Sequence, residues 1–353
     1  MANNEQKTIQ IRRQAIFDFV KVKTSASREE IQDYIAAKFP QSSKITILRD
    51  LDYLAANKGI AKQGKTKSAV YAYAASPLLE AINVEEYFTK DPDARVLINT
   101  HFNFGVWDNL YDILSETEKA ELAAKNKQYL TKRAELSPTA LKKEIERITI
   151  ELAWKSSKIE GNTYTLIDTE ELIKGGIEAK DKTHDEAVMI LNHKKAIEFI
   201  FTESSYFKEL SMAKIEYLHR LLLTDLGVLL GVRQRRIAIT GTNYSPLDNP
   251  FQIKEALEQL ISVINAAENP IEKAIITVLM ISYIQPFEDG NKRTSRILGN
   301  ALLLANDYCP LSYRSVNEGE YKKGILLFYE QNNASYFKRI FIDQFNLAVD
   351  KYF

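Results

Sequence analysis

The segment from Ala274 to Ile284 constrains the fold more than any other part of the chain. It carries no charged residue, and Ile275, Val278, Leu279 and Ile284 leave little polar surface on a helix drawn through it. A helix apolar on nearly all sides belongs in the middle of a core. It is too short to cross a bilayer. Pro286 ends it, and Gly290 frees the backbone to turn. A second helix then starts at Asn291, with Ile297, Ala301 and Leu304 directed inward and Arg293, Arg296 and Asn300 sharing another face. The chain must therefore build its core around two helices joined by a polar turn.

The remaining material is sufficient for that core. The chain has 353 residues, of which 45% are hydrophobic, enough for two or three domains. Lys+Arg and Asp+Glu both number 47, so no global charge draws the protein toward nucleic acid. Cys309 is the single cysteine, which excludes an internal disulfide framework and a cysteine-rich metal site. Only four histidines are present, poor support for zinc. The polar start, Met1 to Gln10, lacks the apolar centre of a signal peptide. These features read as a soluble, cytoplasmic chain with no membrane partner.

Three sections are expected. Residues 1–75 hold 13 Lys/Arg and 7 Asp/Glu, a local net charge of +6. Ile9–Val20 is an amphipathic helix, Ser27 and Glu30 form a capping box for a second, and a third runs from Ser42/Ser43 to Gly59. Ile60–Lys62 and Ala69–Tyr73 then read as a β-hairpin, giving a winged-helix arrangement. Lys44 and Arg49 on the third helix, with Lys62, Lys65 and Lys67 in the wing, would meet a DNA backbone. The same charges also suit the solvated face of a protein-interaction module, and Asp50 and Asp52 count against DNA.

Residues 76–136 form a connector and helical region, with an aromatic patch at Phe102, Phe104, Trp107 and Tyr111 and a charged helix opened by Ser115–Glu118. Residues 137–353 form the largest, strongly helical section. Ser137 caps a helix with Pro138 at its first position, followed by helices near 184–203, 211–223, 252–267, 271–284, 291–306, 318–331 and 334–349. Arg235–Tyr244 alternates around Gly241 and predicts one short β-hairpin. The fold class is thus mainly α, with a small β wing and a β-hairpin flap.

Chemistry concentrates at 285–296, Gln-Pro-Phe-Glu-Asp-Gly-Asn-Lys-Arg-Thr-Ser-Arg. A helix start presents unpaired N–H groups and the positive end of its dipole to anions. Arg293 and Arg296, one turn apart, suit a polyphosphate better than a single carboxylate. Asp289 supplies the hard oxygen that the accompanying Mg²⁺ would need. Taken singly, each of these residues is as well explained by surface charge or turn chemistry.

This segment resembles the signature of Fic proteins, His-Pro-Phe-x-(Asp/Glu)-Gly-Asn-x-Arg-x-x-Arg, at every defined position except the first. Glu186–Ile200, Gly231-Val232-Arg233 and the tail from Tyr321 to Phe345 also fit, so the resemblance spans about 80–353. It implies a protein adenylyltransferase that moves AMP from ATP to a Ser, Thr or Tyr hydroxyl of a protein, itself included. Asp289 would bind Mg²⁺, while Gly290, Asn291, Lys292 and Arg293 would cradle phosphates and Arg296 take the γ-phosphate. Ile237–Tyr244, with Ile239, resembles the flap that aligns the target by strand pairing. Ser156-Ser157-Lys158-Ile159-Glu160-Gly161-Asn162, at the end of a helix over about 140–160, resembles the family's inhibitory motif, in which Glu160 would pair with Arg296 and Ser156 lies one turn away on the same face.

Gln285 departs from the signature. The family's histidine takes the proton from the attacking hydroxyl, and an amide is far too weak a base for that. General-base catalysis is worth roughly 10²–10⁴-fold. A slow transferase, a nucleotide-binding pseudoenzyme read out through the winged helix, and an ordinary enzyme altered at this one position all remain open, as do transfer of other phosphoryl groups, the nucleotide base and a homo-oligomeric state.

Overall fold

The computed structural model describes residues 2–56, 60–64, 69–73 and 77–352. They fall into two compact units, Met1–Glu80 and Ala81–Phe353. The fold is mainly α-helical, with one small antiparallel sheet near the N-terminus.

The first unit runs α1 (Ala2–Lys23), β1 (Ser25–Ser27), α2 (Arg28–Lys38), α3 (Lys44–Ala56), β2 (Ile60–Gln63) and β3 (Val70–Tyr73). Ser27 accepts from the Glu30 N–H while the Glu30 side chain accepts from the Ser27 N–H, so the capping box forms. The sheet order is β1-β3-β2, with Ile60 opposite Tyr73 and Ala26 opposite Tyr71. Strand β1 is three residues long, too short to show an alternating period. Ile16, Val20, Ile31, Ile35, Ile47, Leu51 and Tyr71 close the core.

Asp50 is buried, holding Arg12 Nε at 2.6 Å and Arg13 Nε at 2.9 Å. Its charge is therefore spent inside the unit and does not repel an anion at the α3 surface, contrary to the expectation from sequence. Lys44 and Arg49 are exposed, and Lys62 lies 3.7 Å from Asp52. Lys65, Lys67 and Gly59 lie outside the described residues.

The second unit contains α4 (Val84–Tyr87), α5 (Glu116–Glu135), α6 (Pro138–Ile159), α7 (Leu166–Gly175), α8 (His184–Thr202), α9 (Met212–Leu223), α10 (Pro250–Ala266), α11 (Pro270–Ile284), α12 (Asn291–Ala305), α13 (Glu318–Gln331) and α14 (Ser335–Tyr352). Side-chain caps start many of them: Ser115 for α5, Ser137 for α6, Thr165 for α7 and Thr183 for α8. Helix α11 is buried from Ile271 to Ile284, and each large apolar side chain placed there stabilises the fold by roughly 1.5–3 kcal/mol. It packs on α12, which also contacts α8 and α9. Residues 81–136 are tied to the tail, since Tyr87 Oη and Arg95 Nη2 both donate to the Glu330 carboxylate.

The β-hairpin expected over Arg235–Tyr244 is not formed: no strand occurs there, and the nearby pairing is a single bridge between Ser245 and His101. The segment does bend at Gly241, at φ +85°. Its backbone is held from outside, by Arg95 donating to Gly241 O and Ser245 N–H donating to Thr100 O. Those contacts take the place of a ladder between its two arms.

Candidate functional site

The turn between α11 and α12 is shaped by one amide. Asn291 Oδ1 accepts from the Phe287 N–H at 2.8 Å, which fixes its orientation. Its Nδ2 then donates to Phe287 O at 2.8 Å and to Gln285 Oε1 at 2.9 Å. Gln285, left-handed at φ +51°, passes the pattern on, with its Nε2 donating to Ser282 O at 2.6 Å and to Tyr329 Oη at 3.2 Å. Both ends of the Gln285 amide are thus engaged. The side chain is built into the wall of the turn.

Helix α9 clamps the turn from behind. His219 stacks on Phe287 at 3.8 Å between ring centroids, and its Nε2 lies 3.0 Å from Asp289 O. A carbonyl can only accept, so Nε2 carries the proton. Burial lowers His219 to a pKa of about 4 and keeps it neutral. One turn on, Leu223 packs against Gly290, where an added Cβ would fall 2.5 Å from Leu223 Cδ2 and φ is +77°.

Arg233 secures the front. It is buried, and its Nε donates to Gln285 O at 2.7 Å, Nη1 to Arg235 O at 2.8 Å and Nη2 to Leu247 O. One guanidinium therefore joins the turn to both arms of the 235–247 segment.

These constraints leave a cavity of about 370 Å³ between the turn, residues 237–240 and α13. Gly290, Asn291, Lys292 and Arg293 line one side, Ile237 and Ile239 another, and Tyr321, Lys322, Ile325 and Leu326 a third. The first-turn N–H groups of α12 lack intrahelical partners. Arg293 Nη2 donates to Asp289 Oδ2 at 2.7 Å, and Asp289 is 62% exposed. Among the described residues, Nη1 of Arg293, Nη1 of Arg296 and the Tyr321 hydroxyl are buried without a hydrogen-bond partner. Unspent donors around a helix start form an anion cradle.

Arg296 is completely buried. Its Nε donates to Ser156 Oγ at 3.0 Å, its Nη2 to Ser156 O at 2.9 Å, and Glu160 Oε1 stands 2.9 Å from Nη2. The guanidinium also lies 5.4 Å from the Tyr321 ring. Glu160 is the C-cap of α6, and Gly161 at φ +101° turns the chain away behind it. Its Oε2 lies 3.7 Å from Lys292 Nζ. Burial pushes the Glu160 carboxyl up, but the charges of Arg296, Lys292 and Arg293 outweigh it and hold the pKa below the usual carboxylate range. Glu160 is therefore ionised at neutral pH.

Gln285, Asp289, Gly290, Asn291, Lys292, Arg293, Glu160, Ile237 and Ile239 thus line one cavity, while Arg296 and Ser156 do not line it and are buried in contact with each other, with Arg296 paired to Glu160. Tyr244 does not join them. Expected on a docking edge, it is instead buried, stacked on Tyr283 at 4.6 Å and donating to Tyr283 O at 2.9 Å. It anchors the segment to α11 and offers no side chain to a target. The roles of His219 and Tyr329 were not legible, because single buried residues carry no period, and each contacts a partner far away in sequence. For metal, no group of three or more His, Cys, Asp or Glu is placed to hold an ion among the described residues. Asp289 alone fits Mg²⁺, which keeps several waters and shares one or two carboxylates with substrate phosphates. No helix among the described residues is long and apolar enough to cross a membrane.

Residues 209–303 match the model of the Fic/DOC family. The chain is 27% identical over 208 residues to the protein adenylyltransferase Fic of Drosophila willistoni, covering 57% of this chain and 41% of the relative. It is 25% identical over 189 residues to the protein adenylyltransferase fic-1 of Caenorhabditis elegans, 52% of this chain and 37% of the relative. The chain thus spans about two-fifths of the length of these curated relatives. Among solved structures, C. elegans Fic-1 superposes with a TM-score of 0.57 at 21% identity, covering 69% of this chain and 73% of that one. A Fic-domain-containing signaling protein from Bacteroides thetaiotaomicron gives 0.53 at 23% identity, covering 65% and 92%. Those two likenesses concern the fold. Residues 209–303 thus resemble the Fic/DOC family, and about half of the chain is distantly similar in sequence to Fic protein adenylyltransferases.

Proposed function

We propose that the chain is a protein adenylyltransferase of low intrinsic rate, held off by Glu160, that moves AMP from ATP to hydroxyl side chains of proteins, the hydroxyl oxygen bonding to the α-phosphorus as pyrophosphate leaves. One observation carries this reading: Arg296, aligned with the signature's last arginine, has its guanidinium taken up by Glu160 and Ser156 beside a cradle with unspent donors. A carboxylate and a triphosphate compete for that cation. While Glu160 holds it, ATP can enter the cavity but lacks the contact that would set its terminal phosphate. With Glu160 displaced, Arg296 and Arg293 would take the phosphate oxygens, and the α12 N-terminus would face the developing charge. Mg²⁺ bound at Asp289 would neutralise charge on the bridging phosphates. Ile237 and Ile239 border the cavity where a target segment would align.

The proton step is the weak link. The Gln285 amide is held by Asn291, Ser282 and Tyr329, and it has no base to offer. The target hydroxyl would lose its proton to water, and the rate would lack the roughly 10²–10⁴-fold of a positioned base. Labelled ATP offered to the natural chain, Glu160→Gly and Gln285→His tests this. Label on Glu160→Gly supports the transferase; label appearing only after Gln285→His points to a nucleotide-binding pseudoenzyme.

A second reading attaches to residues 1–75, followed by a connector over 76–136 and the core over 137–353. The first unit's order of helix, strand, two helices and two strands supports a winged-helix reading, and the inward turn of Asp50 leaves Lys44 and Arg49 uncontested by it. A regulator contacting DNA through this unit would shift a duplex in a gel, with affinity falling steeply as salt rises. Absence of a shift at low salt would leave protein contact as its role.

A further inference from the structure

A file of buried polar groups runs from α8 into α6 behind Arg296. His193 on α8 is fully buried. Its Nδ1 lies 2.8 Å from Met189 O, and because a backbone carbonyl only accepts, Nδ1 carries the proton. Its Nε2 is then an acceptor, 2.9 Å from Ser156 Oγ, and the Ser156 hydroxyl must donate to it. That donation uses the one proton Ser156 has. The oxygen's lone pairs are left for Arg296 Nε, at 3.0 Å. Each assignment forces the next. Burial lowers the pKa of His193 to about 3, so the ring stays neutral and Nε2 stays an acceptor. Ser157 Oγ, 3.3 Å from Nδ1, reaches the same nitrogen as Met189 O and does not alter the order.

We propose that His193 is a positioning residue for the autoinhibited state: by taking the Ser156 proton it turns a hydroxyl lone pair onto Arg296 and holds that guanidinium where Glu160 pairs with it. This rests on Arg296 being the cation for which Glu160 and a triphosphate compete. A serine without that acceptor is free to rotate its proton toward the guanidinium, where like partial charges repel. The α6 contact with Arg296 then loosens even though Ser156 and Glu160 are both present.

The test is Mg·ATP affinity, measured by calorimetry on the full chain carrying His193→Leu or His193→Gln, each with and without Glu160→Gly. His193→Leu should raise affinity about threefold to tenfold, the worth of one net hydrogen bond, and should add nothing in the Glu160→Gly background. His193→Gln, whose Oε1 can accept the Ser156 proton, should stay near the natural chain. A contact that only joins α6 to α8 would lower affinity in both backgrounds. If Glu160→Gly tightens binding while His193→Leu weakens it or leaves it unchanged, the proposal is wrong. If no variant binds Mg·ATP, the nucleotide reading fails and this one goes with it. Nitrogen-15 spectra of the histidines give a readout independent of nucleotide. His193 should be the Nδ1–H tautomer, with its Nε2 signal displaced in Ser156→Ala. An Nε2–H tautomer at this position overturns the proposal.

Discussion

Glu160 Oε1 lies 2.9 Å from Arg296 Nη2, and the two residues come from the end of one helix and the first turns of another, 136 positions apart in the chain. The arginine is completely buried and the carboxylate side chain is 19% exposed. Breaking such a contact leaves a cation in the core with no counter-charge, which typically costs about 3–5 kcal/mol when a pair is fully buried. Glu160→Gly should therefore lower the melting temperature of the free protein. Saturating Mg·ATP should recover about 2.7 kcal/mol at a hundred times its Kd, a larger thermal shift than in the natural chain. Equal shifts in the two proteins would remove the competition between carboxylate and phosphate.

Gly290→Ala tests the clamp. The new Cβ would stand 2.5 Å from Leu223 Cδ2 at φ +77°, and left-handed strain alone costs on the order of 1–2 kcal/mol. Urea unfolding should show a loss of roughly 1–3 kcal/mol, accompanied by weaker nucleotide binding. Leu223→Ala, itself costly at a buried site, should cost less in the Gly290→Ala chain than in the unsubstituted one, because there it also relieves the clash.

Gln285→His, placed in the Glu160→Gly background, should raise self-labelling by roughly 10²–10⁴-fold. Mg·ATP affinity should change little, because the amide's partners are Asn291, Ser282 and Tyr329 rather than the cradle donors. Rapid labelling by Glu160→Gly alone, unchanged by the histidine, would mean that a different group removes the proton.

Acid should destabilise the second unit in part through His193. Its folded pKa is depressed to about 3 against about 6.5 unfolded. The unfolded chain thus binds the extra proton, and stability is full above about pH 6.5 and falls as pH drops toward 3. One such group contributes a slope of about 1.4 kcal/mol per pH unit. The pH dependence of unfolding between pH 6 and 4 should be shallower by about one proton in His193→Gln. An unchanged slope would show that the ring already titrates in the folded state.

Much of the fold could be read from local chemistry. The capping pairs at Ser27 and Ser115 and the Pro138 start all form as expected, because a cap is satisfied by residues three positions away. The burial of α11 follows from its lack of charge. Helix α7 was not anticipated; its buried residues are Thr169 and Leu172, too few to display a period. The 235–244 segment had strand alternation, yet Gly241 is held by Arg95, far upstream, Arg235 by Arg233, and the next residue, Ser245, by Thr100.

The sequence by itself determined that a helix start carrying Arg293 and Arg296 follows a core helix, and that an amide, Gln285, stands at the end of that core helix. The family resemblance already named Glu160 as the expected partner of Arg296; only the tertiary structure set that distance, 2.9 Å, and brought His193 behind Ser156. Whether Arg296 faces solvent, substrate or Glu160 depends on where α6 ends, and which way the Ser156 hydroxyl points its hydrogen depends on His193 across the helix interface. Helical periodicity says which residues share a face. It does not say which distant face will cover them, and in a low-dielectric interior that partner sets the charge state and the job of the side chain.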